Sequence, residues 1–168
     1  MKRNLLLIGV ALLVLTSCSG YDPGISEAFM KYRLKEGVTT VTVPGWVIHM
    51  AARFGDLDKD EREILNSIDK VRVLSVEDND LNARIDLHEE FYDRINRNHD
   101  FEELLVVHED NENVTIFGKM DENVIKEMVI LVGGDDNVLV YLKGEIKPEL
   151  LNDKIDMSHP DKFLSLDF

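Results

Sequence analysis

Four strand-like runs follow one another in the last third of the chain: FEELLVV at residues 101–107, VTIFGK at 114–119, VIKEMVILV at 124–132 and VLVYLKG at 138–144. Their β-branched and aromatic residues favour an extended backbone. The connectors between them are short and polar, and parallel strands would need crossovers of a dozen or more residues. The four runs therefore predict an antiparallel meander, and they decide the fold class.

The residues before the meander predict further strands and several helices. A strand is expected at Val38–Val43, which is rich in β-branched residues, and another at about Asp69–Glu77. Helical patterns of apolar and capping residues occur at Glu27–Glu36, Trp46–Phe54, Asp58–Ser67, Leu81–Asn98 and Pro148–Lys154. We predict an α+β fold with a mainly antiparallel sheet, made of the meander plus one or two earlier strands, covered on one face by helices.

The first residues have the layout of a bacterial lipoprotein signal. A basic start precedes the apolar stretch Leu5–Leu15, which is too short for the roughly 20 residues of a membrane-spanning helix. We predict that Leu15, Thr16 and Ser17 are recognised for signal cleavage. Cys18, the only cysteine, is then the site of lipid attachment. The alternatives are a plain secretory signal with an incidental cysteine, or a buried apolar strand.

A lipidated Cys18 would hold the chain on a membrane without spanning it, because two or more acyl chains such as palmitate anchor stably. The predicted organisation is a signal peptide at 1–17, a lipidated tether at 18–25, a single α+β domain at 26–156 and a C-terminal tail at 157–168. Ser19 follows the cysteine, and no aspartate stands there to suggest inner-membrane retention. We expect an outer-membrane anchor with the domain facing the periplasm.

Composition argues against one class of partner. The chain has 19 basic and 33 acidic residues and a formal net charge of −14. Removal of a leader that contains Lys2 and Arg3 makes this balance more acidic still. Nucleic-acid binding depends on Lys and Arg that neutralise phosphates, so we expect no nucleic-acid partner. The mature chain of about 150 residues can bury an adequate core without a disulfide.

No catalytic or metal-binding motif is complete in the sequence. The carboxylates of Asp56–Asp60 alternate as in calcium loops, but the required Gly and Glu at the sixth and twelfth positions are missing. His88 begins a zincin-like run, but Tyr92 stands where the second histidine is needed. At His108–Asp110, turn polarity explains the residues better than an acid–base pair. We expect no catalytic residue, no metal and no cofactor.

Two helix surfaces are candidate binding sites. Trp46, Met50 and Phe54 could line an apolar groove, but an aromatic stripe at helical spacing is more often core, and we predict that they are buried. The helix at Leu81–Asn98 carries four carboxylates, and such a charged run is usually a solvated face. These four are Asp86, Glu89, Glu90 and Asp93.

With these elements placed, the chain resembles the bacterial family DUF4252, a domain of unknown function. The resemblance rests on IDKVRVL at 68–74, FEELLVV at 101–107, VTIFGK at 114–119, IKEMVIL at 125–131 and VLVYLKGEI at 138–146. It implies a secreted or lipid-anchored protein of Gram-negative bacteria. It implies no activity, cofactor or catalytic residue, so none is carried over.

Three function classes follow. The first is a non-enzymatic binding or scaffold module that is lipid-anchored in the cell envelope, with the membrane and an envelope protein as partners. The alternative is a periplasmic protein that binds a small molecule or a cation, possibly as a sensor, through the carboxylate-rich segments Asp56–Glu63 and Glu77–Asp80. The third is an enzyme whose site is assembled from dispersed residues.

Overall fold

The computed structural model describes residues 23–109 and 111–152. The elements in chain order are α1 (Pro23–Tyr32), β1 (Val38–Pro44), α2 (Gly45–Phe54), α3 (Lys59–Asn66), β2 (Ile68–Val76), α4 (Asn79–Asn82), α5 (Leu87–Asn96), β3 (Glu102–Glu109), β4 (Glu112–Asp121), β5 (Val124–Gly134), β6 (Val138–Ile146) and α6 (Pro148–Asn152). Among these residues, no helix has the length and apolar character that a bilayer crossing requires.

The strands of the described chain form one antiparallel sheet in the order β1-β2-β6-β5-β4-β3. The predicted meander is confirmed, because β3, β4, β5 and β6 each pair with the next strand in sequence. The two earlier strands extend it, since β2 pairs with β6 and β1 pairs with β2. The predicted α+β class is therefore confirmed, with two strands before the meander.

Helices α1 and α5 close one side of the sheet, which we call the first face. Phe29 and Tyr32 of α1 pack with Phe91 and Ile95 of α5, and all four are buried. Beneath them lie fully buried side chains of four strands, namely Leu74, Phe117, Val129, Leu131 and Leu139. This cluster is the main core, because large apolar side chains removed from water are the dominant stabilising contribution in a domain of this size.

A second cluster lies on the opposite side of the sheet, which we call the second face. Side chains alternate between the faces along each strand, so Met128 and Ile130 point away from the first face. Ile48 of α2 and Ile64 of α3 join this cluster. Both helices contact β2, so they cover the second face at its β1–β2 end.

The helix predicted over Leu81–Asn98 is corrected to two helices, α4 and α5. The side chain of Asp78 accepts a hydrogen bond from Leu81 N at 2.8 Å and caps α4. That of Asp86 accepts one from Glu89 N at 2.9 Å and caps α5. Each aspartate satisfies backbone donors at a helix start, so the second one begins a new helix. Asp80, which directly precedes the predicted range and could have capped it, lies inside α4.

The first helix is also shifted from its predicted range. It begins at Pro23, where proline is favoured because its missing N–H needs no partner in the first turn. It ends at Tyr32, so Leu34 is not part of its apolar face and is 86% exposed. The first residues of α1 therefore fall within the stretch 18–25 that was predicted as a tether.

The predicted signal residues Leu15, Thr16 and Ser17 lie outside the described residues, as does the predicted lipid site Cys18. The predicted tail at 157–168 lies outside them as well. Lipid attachment and signal cleavage therefore stay predictions from the sequence.

Candidate functional site

Helix α2 carries apolar residues on two opposite sides. Ile48 and Ala52 are buried against the sheet. Trp46, Met50 and Phe54 point the other way and are 67%, 48% and 79% exposed. The prediction that these three residues are core is wrong, because the buried residues of the helix are Gly45, Ile48 and Ala52. We call Trp46, Met50 and Phe54 the α2 stripe.

The helix beneath the stripe is held firmly by backbone contacts. A Cβ atom at Gly45 would lie 2.7 Å from the Asp69 carbonyl oxygen, so only glycine allows α2 to approach β2 this closely. His49 Nε2 lies 3.0 Å from the Ile68 carbonyl oxygen within hydrogen-bond range. Arg62 of α3 donates from Nε to the Ala52 carbonyl at 3.1 Å. The α2 stripe is therefore displayed on a helix that is fixed to the sheet.

An open cavity of about 380 Å³ lies between α2 and α3. It is lined by His49, Ala52, Arg53, Arg62 and Asn66. Two of these side chains are arginines, although the chain as a whole carries a net charge of −14. The α2 stripe therefore has basic groups on one flank, since Arg53 directly precedes Phe54 on the same helix.

The family model for the domain of unknown function DUF4252 matches residues 32–153. The chain belongs to this family. The match begins at the last residue of α1 and includes all six strands, so it confirms the resemblance read from the strand sequences. Neither a curated protein nor a solved structure was found to match.

In this DUF4252 domain, three of the carboxylates around Asp58 have structural partners. Asp58 caps α3, because its side chain accepts from Asp60 N and Glu61 N, both at 2.9 Å. In return, the Glu61 carboxylate accepts a hydrogen bond from Asp58 N at 3.0 Å. Lys147 donates to Glu63 at 2.7 Å, and this hydrogen bond lowers the pKa of Glu63. The described residues contain no group of three His, Cys, Asp or Glu arranged to hold a metal ion. The small-molecule or cation-binding alternative stays a prediction.

His88 is packed into the domain rather than presented to a metal. Its Nε2 lies 2.8 Å from Thr115 Oγ1, and its ring stacks on Tyr92 at a centroid distance of 5.1 Å. Burial lowers the pKa of His88, while the nearby Asp86 carboxylate opposes this effect. Tyr92, which replaces the second histidine of a zincin motif, thus provides a stacking surface.

The sequence did not reveal that two histidines lie near each other. The rings of His88 on α5 and His108 on β3 are 6.4 Å apart. The His108 ring is bonded to Asn113 Oδ1 across the β3–β4 pair at 2.7 Å. Asp110, the acidic residue of the His108–Asp110 stretch, lies outside the described residues. A pairing between a helix and a strand 20 residues later leaves no local spacing signal.

The acidic surface of α5 is only partly a solvated face. Glu90 accepts hydrogen bonds from Lys31 Nζ at 2.6 Å and from the Tyr32 hydroxyl at 2.7 Å. Burial opposes ionisation of Glu90, but these two donors outweigh it and lower its pKa. Glu90 therefore joins α5 to α1, whereas Asp93 is exposed and pairs with Arg97 on its own helix.

Proposed function

We propose that the chain is a lipid-anchored protein of the bacterial cell envelope, and that its domain is a non-enzymatic module that binds an envelope protein through the α2 stripe. The observation that supports this proposal is the exposure of Trp46, Met50 and Phe54 on one side of a fixed helix. Contiguous exposed apolar surface on a folded domain marks an interaction site more often than scattered single residues do.

The chemistry of the stripe favours a protein partner. Trp, Met and Arg are enriched where protein interfaces are most buried, and aromatic anchors supply much of the binding energy. Met50 can adapt its unbranched side chain to an irregular partner surface. Arg53 adds a charged rim beside Phe54, which suits a partner with an acidic edge around an apolar pocket.

The predicted anchor places such a partner close to a membrane. Only five chain steps separate Cys18 from Pro23, where α1 begins. Five extended residues span at most about 18 Å. A domain tethered this closely would meet integral or lipid-anchored envelope proteins far more often than proteins free in the periplasm.

The test compares two sets of substitutions in intact cells. One variant combines Trp46→Ser, Met50→Ser and Phe54→Ser. The matched control combines Met30→Ser and Leu34→Ser, which also remove exposed apolar side chains. After cross-linking, the partner is identified by mass spectrometry, purified and titrated against each purified variant. We expect the stripe variant to lose cross-linking and at least about tenfold in affinity, which is 1.4 kcal/mol.

The outcomes separate the parts of the proposal. Equal binding by the stripe variant and the wild type would refute the role of α2. Loss of binding in the control alone would move the interface to the α1 side. A separate arm with Cys18→Ser measures lipid incorporation and membrane fractionation, and unchanged lipid labelling would refute attachment at Cys18.

A further inference from the structure

Strand β1 lies at one edge of the sheet, and half of its peptide groups point away from the domain. Successive residues of an antiparallel strand turn their N–H and C=O groups alternately toward the partner strand and away from it. Glu77 N donates to the Gly37 carbonyl at 2.9 Å, so the register makes residues 39, 41 and 43 the ones that bond to β2. The N–H and C=O groups of Thr40 and Thr42 therefore point outward, and we call this side of the strand the β1 edge.

The β1 edge has no partner among residues 23–109 and 111–152. In this part of the chain β1 pairs only with β2, and no hydrogen bond from a loop or a helix end reaches Thr40 or Thr42. The Thr40 hydroxyl is also buried without a hydrogen-bond partner among these residues. A row of unpaired N–H and C=O groups at a sheet edge is a template for another extended strand.

The two edges of the sheet differ in their protection against such pairing. Strand β3, at the far edge, carries the carboxylates of Glu102, Glu103 and Glu109, and its register with β4 shifts between Glu103 and Leu105. Charged side chains and bulges are the features that keep edge strands from pairing with other chains. Strand β1 has no charged residue and an unbroken register with β2. A further strand can therefore be added at β1 far more readily than at β3.

The β1 edge is complementary to the same edge of a second copy. In antiparallel pairing centred on Val41, Thr40 of each copy lies opposite Thr42 of the other, and such a pair exchanges two hydrogen bonds. At the ends of the strand, Val38 lies opposite Pro44. Pro44 has no N–H, and the N–H of Val38 is already bonded to the Lys35 carbonyl at 3.2 Å. Every outward donor of β1 therefore has an acceptor in this register.

Charge also favours a second copy at this position. The chain carries a net charge of −14, and like charges directly opposite each other on paired strands are destabilising. Pairing through β1 brings together only valine and threonine between Thr39 and Val43, whereas self-pairing of β3 would gather glutamates from both copies at one interface. Val41 is 45% exposed, so its contact with Val41 of the second copy would remove apolar surface of both from water.

We propose that the protein forms a dimer in which β1 pairs antiparallel with β1 of a second copy, centred on Val41, so that the two sheets become continuous. The interface is isologous, because a twofold axis exchanges the two strands. This inference goes beyond the proposed function and does not rest on it, since the β1 edge and the α2 stripe share no residue. Substitutions in one surface therefore leave the other intact.

The first measurement is the oligomeric state of the full chain with Cys18→Ser, determined by sedimentation equilibrium in a mild detergent. We expect a reversible dimer. Thr42→Pro removes an outward N–H and leaves the β1–β2 hydrogen bonds in place. It should weaken dimerisation at least about tenfold, because the dimer loses one hydrogen bond from each copy. Circular dichroism and urea unfolding of this variant show whether its fold is retained.

The second measurement locates the contact by disulfide formation, and it does not depend on the proline variant. Since Cys18 is the only cysteine, Val41→Cys in the Cys18→Ser chain introduces a single thiol. Its matched control is Val106→Cys, because Val106 is a valine of similar exposure, 40%, on the opposite edge strand. Residues opposite each other in a non-hydrogen-bonded pair have Cα atoms about 4.5 Å apart, a distance that a disulfide can span.

We expect Val41→Cys to form disulfides between two chains about tenfold faster than Val106→Cys under the same oxidant, because pairing raises the effective concentration of its thiols. Equal rates for the two variants would overturn the proposal. A parent chain that stays monomeric at its highest soluble concentration would overturn it as well. A dimer of unchanged affinity in a folded Thr42→Pro variant would place the interface elsewhere and so refute pairing through β1.

Discussion

Asn137 joins the β5–β6 turn to the segment between α4 and α5. We expect removal of its side chain to destabilise the domain. The residue is 1% exposed. Its Oδ1 accepts from Leu87 N at 2.6 Å, and its Nδ2 donates to Asn82 Oδ1 at 2.9 Å and to the Ile85 carbonyl at 3.0 Å. Asn137→Ala removes all three bonds. At a net value near 1 kcal/mol for each bond, the free energy of unfolding should fall by about 3 kcal/mol.

Urea unfolding followed by far-ultraviolet circular dichroism measures this loss. Tryptophan fluorescence is a poor probe here because the only tryptophan, Trp46, is already largely exposed when the protein is folded. Asn123→Ala, at an exposed turn position, is the matched control and should change stability by less than about 0.5 kcal/mol. A loss below about 1 kcal/mol for Asn137→Ala would refute the argument that its side chain is a buried connector.

Two further predictions concern a helix start and a buried histidine. Asp58→Ala removes the capping box of α3 and should lower the free energy of unfolding by about 1 kcal/mol; an unchanged urea midpoint would show that the cap is not needed. The folded state lowers the pKa of His88 below its ordinary value of 6.5, so its neutral form is favoured and stability should fall as the pH drops below that value. His88→Gln, which does not titrate, should lose less stability than the wild type between pH 7 and pH 5.5, and equal losses would contradict this reasoning.

The meander could be predicted because a short connector joins each of its strands to the next one in the sequence. Strand-forming residues on both sides of each short connector restrict the pairing to antiparallel neighbours. The position of β2 could not be predicted in this way. Its partner β6 begins more than 60 residues later. No short turn joins the two strands, so the local sequence does not indicate that they pair. The sheet order therefore required the structure, whereas the fold class did not.

The spacing of Trp46, Met50 and Phe54 predicted the wrong side of α2 as the buried one, for a physical reason. Spacing of four residues places Trp46, Met50 and Phe54 on one side of a helix, but it does not say which side packs. The residues that do pack are Gly45, Ile48 and Ala52, two of which are small. Small residues allow a helix to approach a sheet closely, so their spacing at the start and end of α2 was the signal that could have identified the buried side.

The first face of the sheet mainly provides stability, whereas the proposed binding surface lies on the side of the second face. The first face is closed by α1 and α5, and Leu74, Phe117, Val129, Leu131 and Leu139 are fully buried beneath these helices. The second face carries a smaller buried cluster and α2, whose outer residues remain in contact with water. A domain whose core is complete on one side can expose apolar side chains on the other without losing its structure, while its strongly negative charge limits non-specific association. Substitutions such as Phe117→Ala on the first face should therefore act through folding, whereas those at Trp46 should act through contacts made by the folded protein.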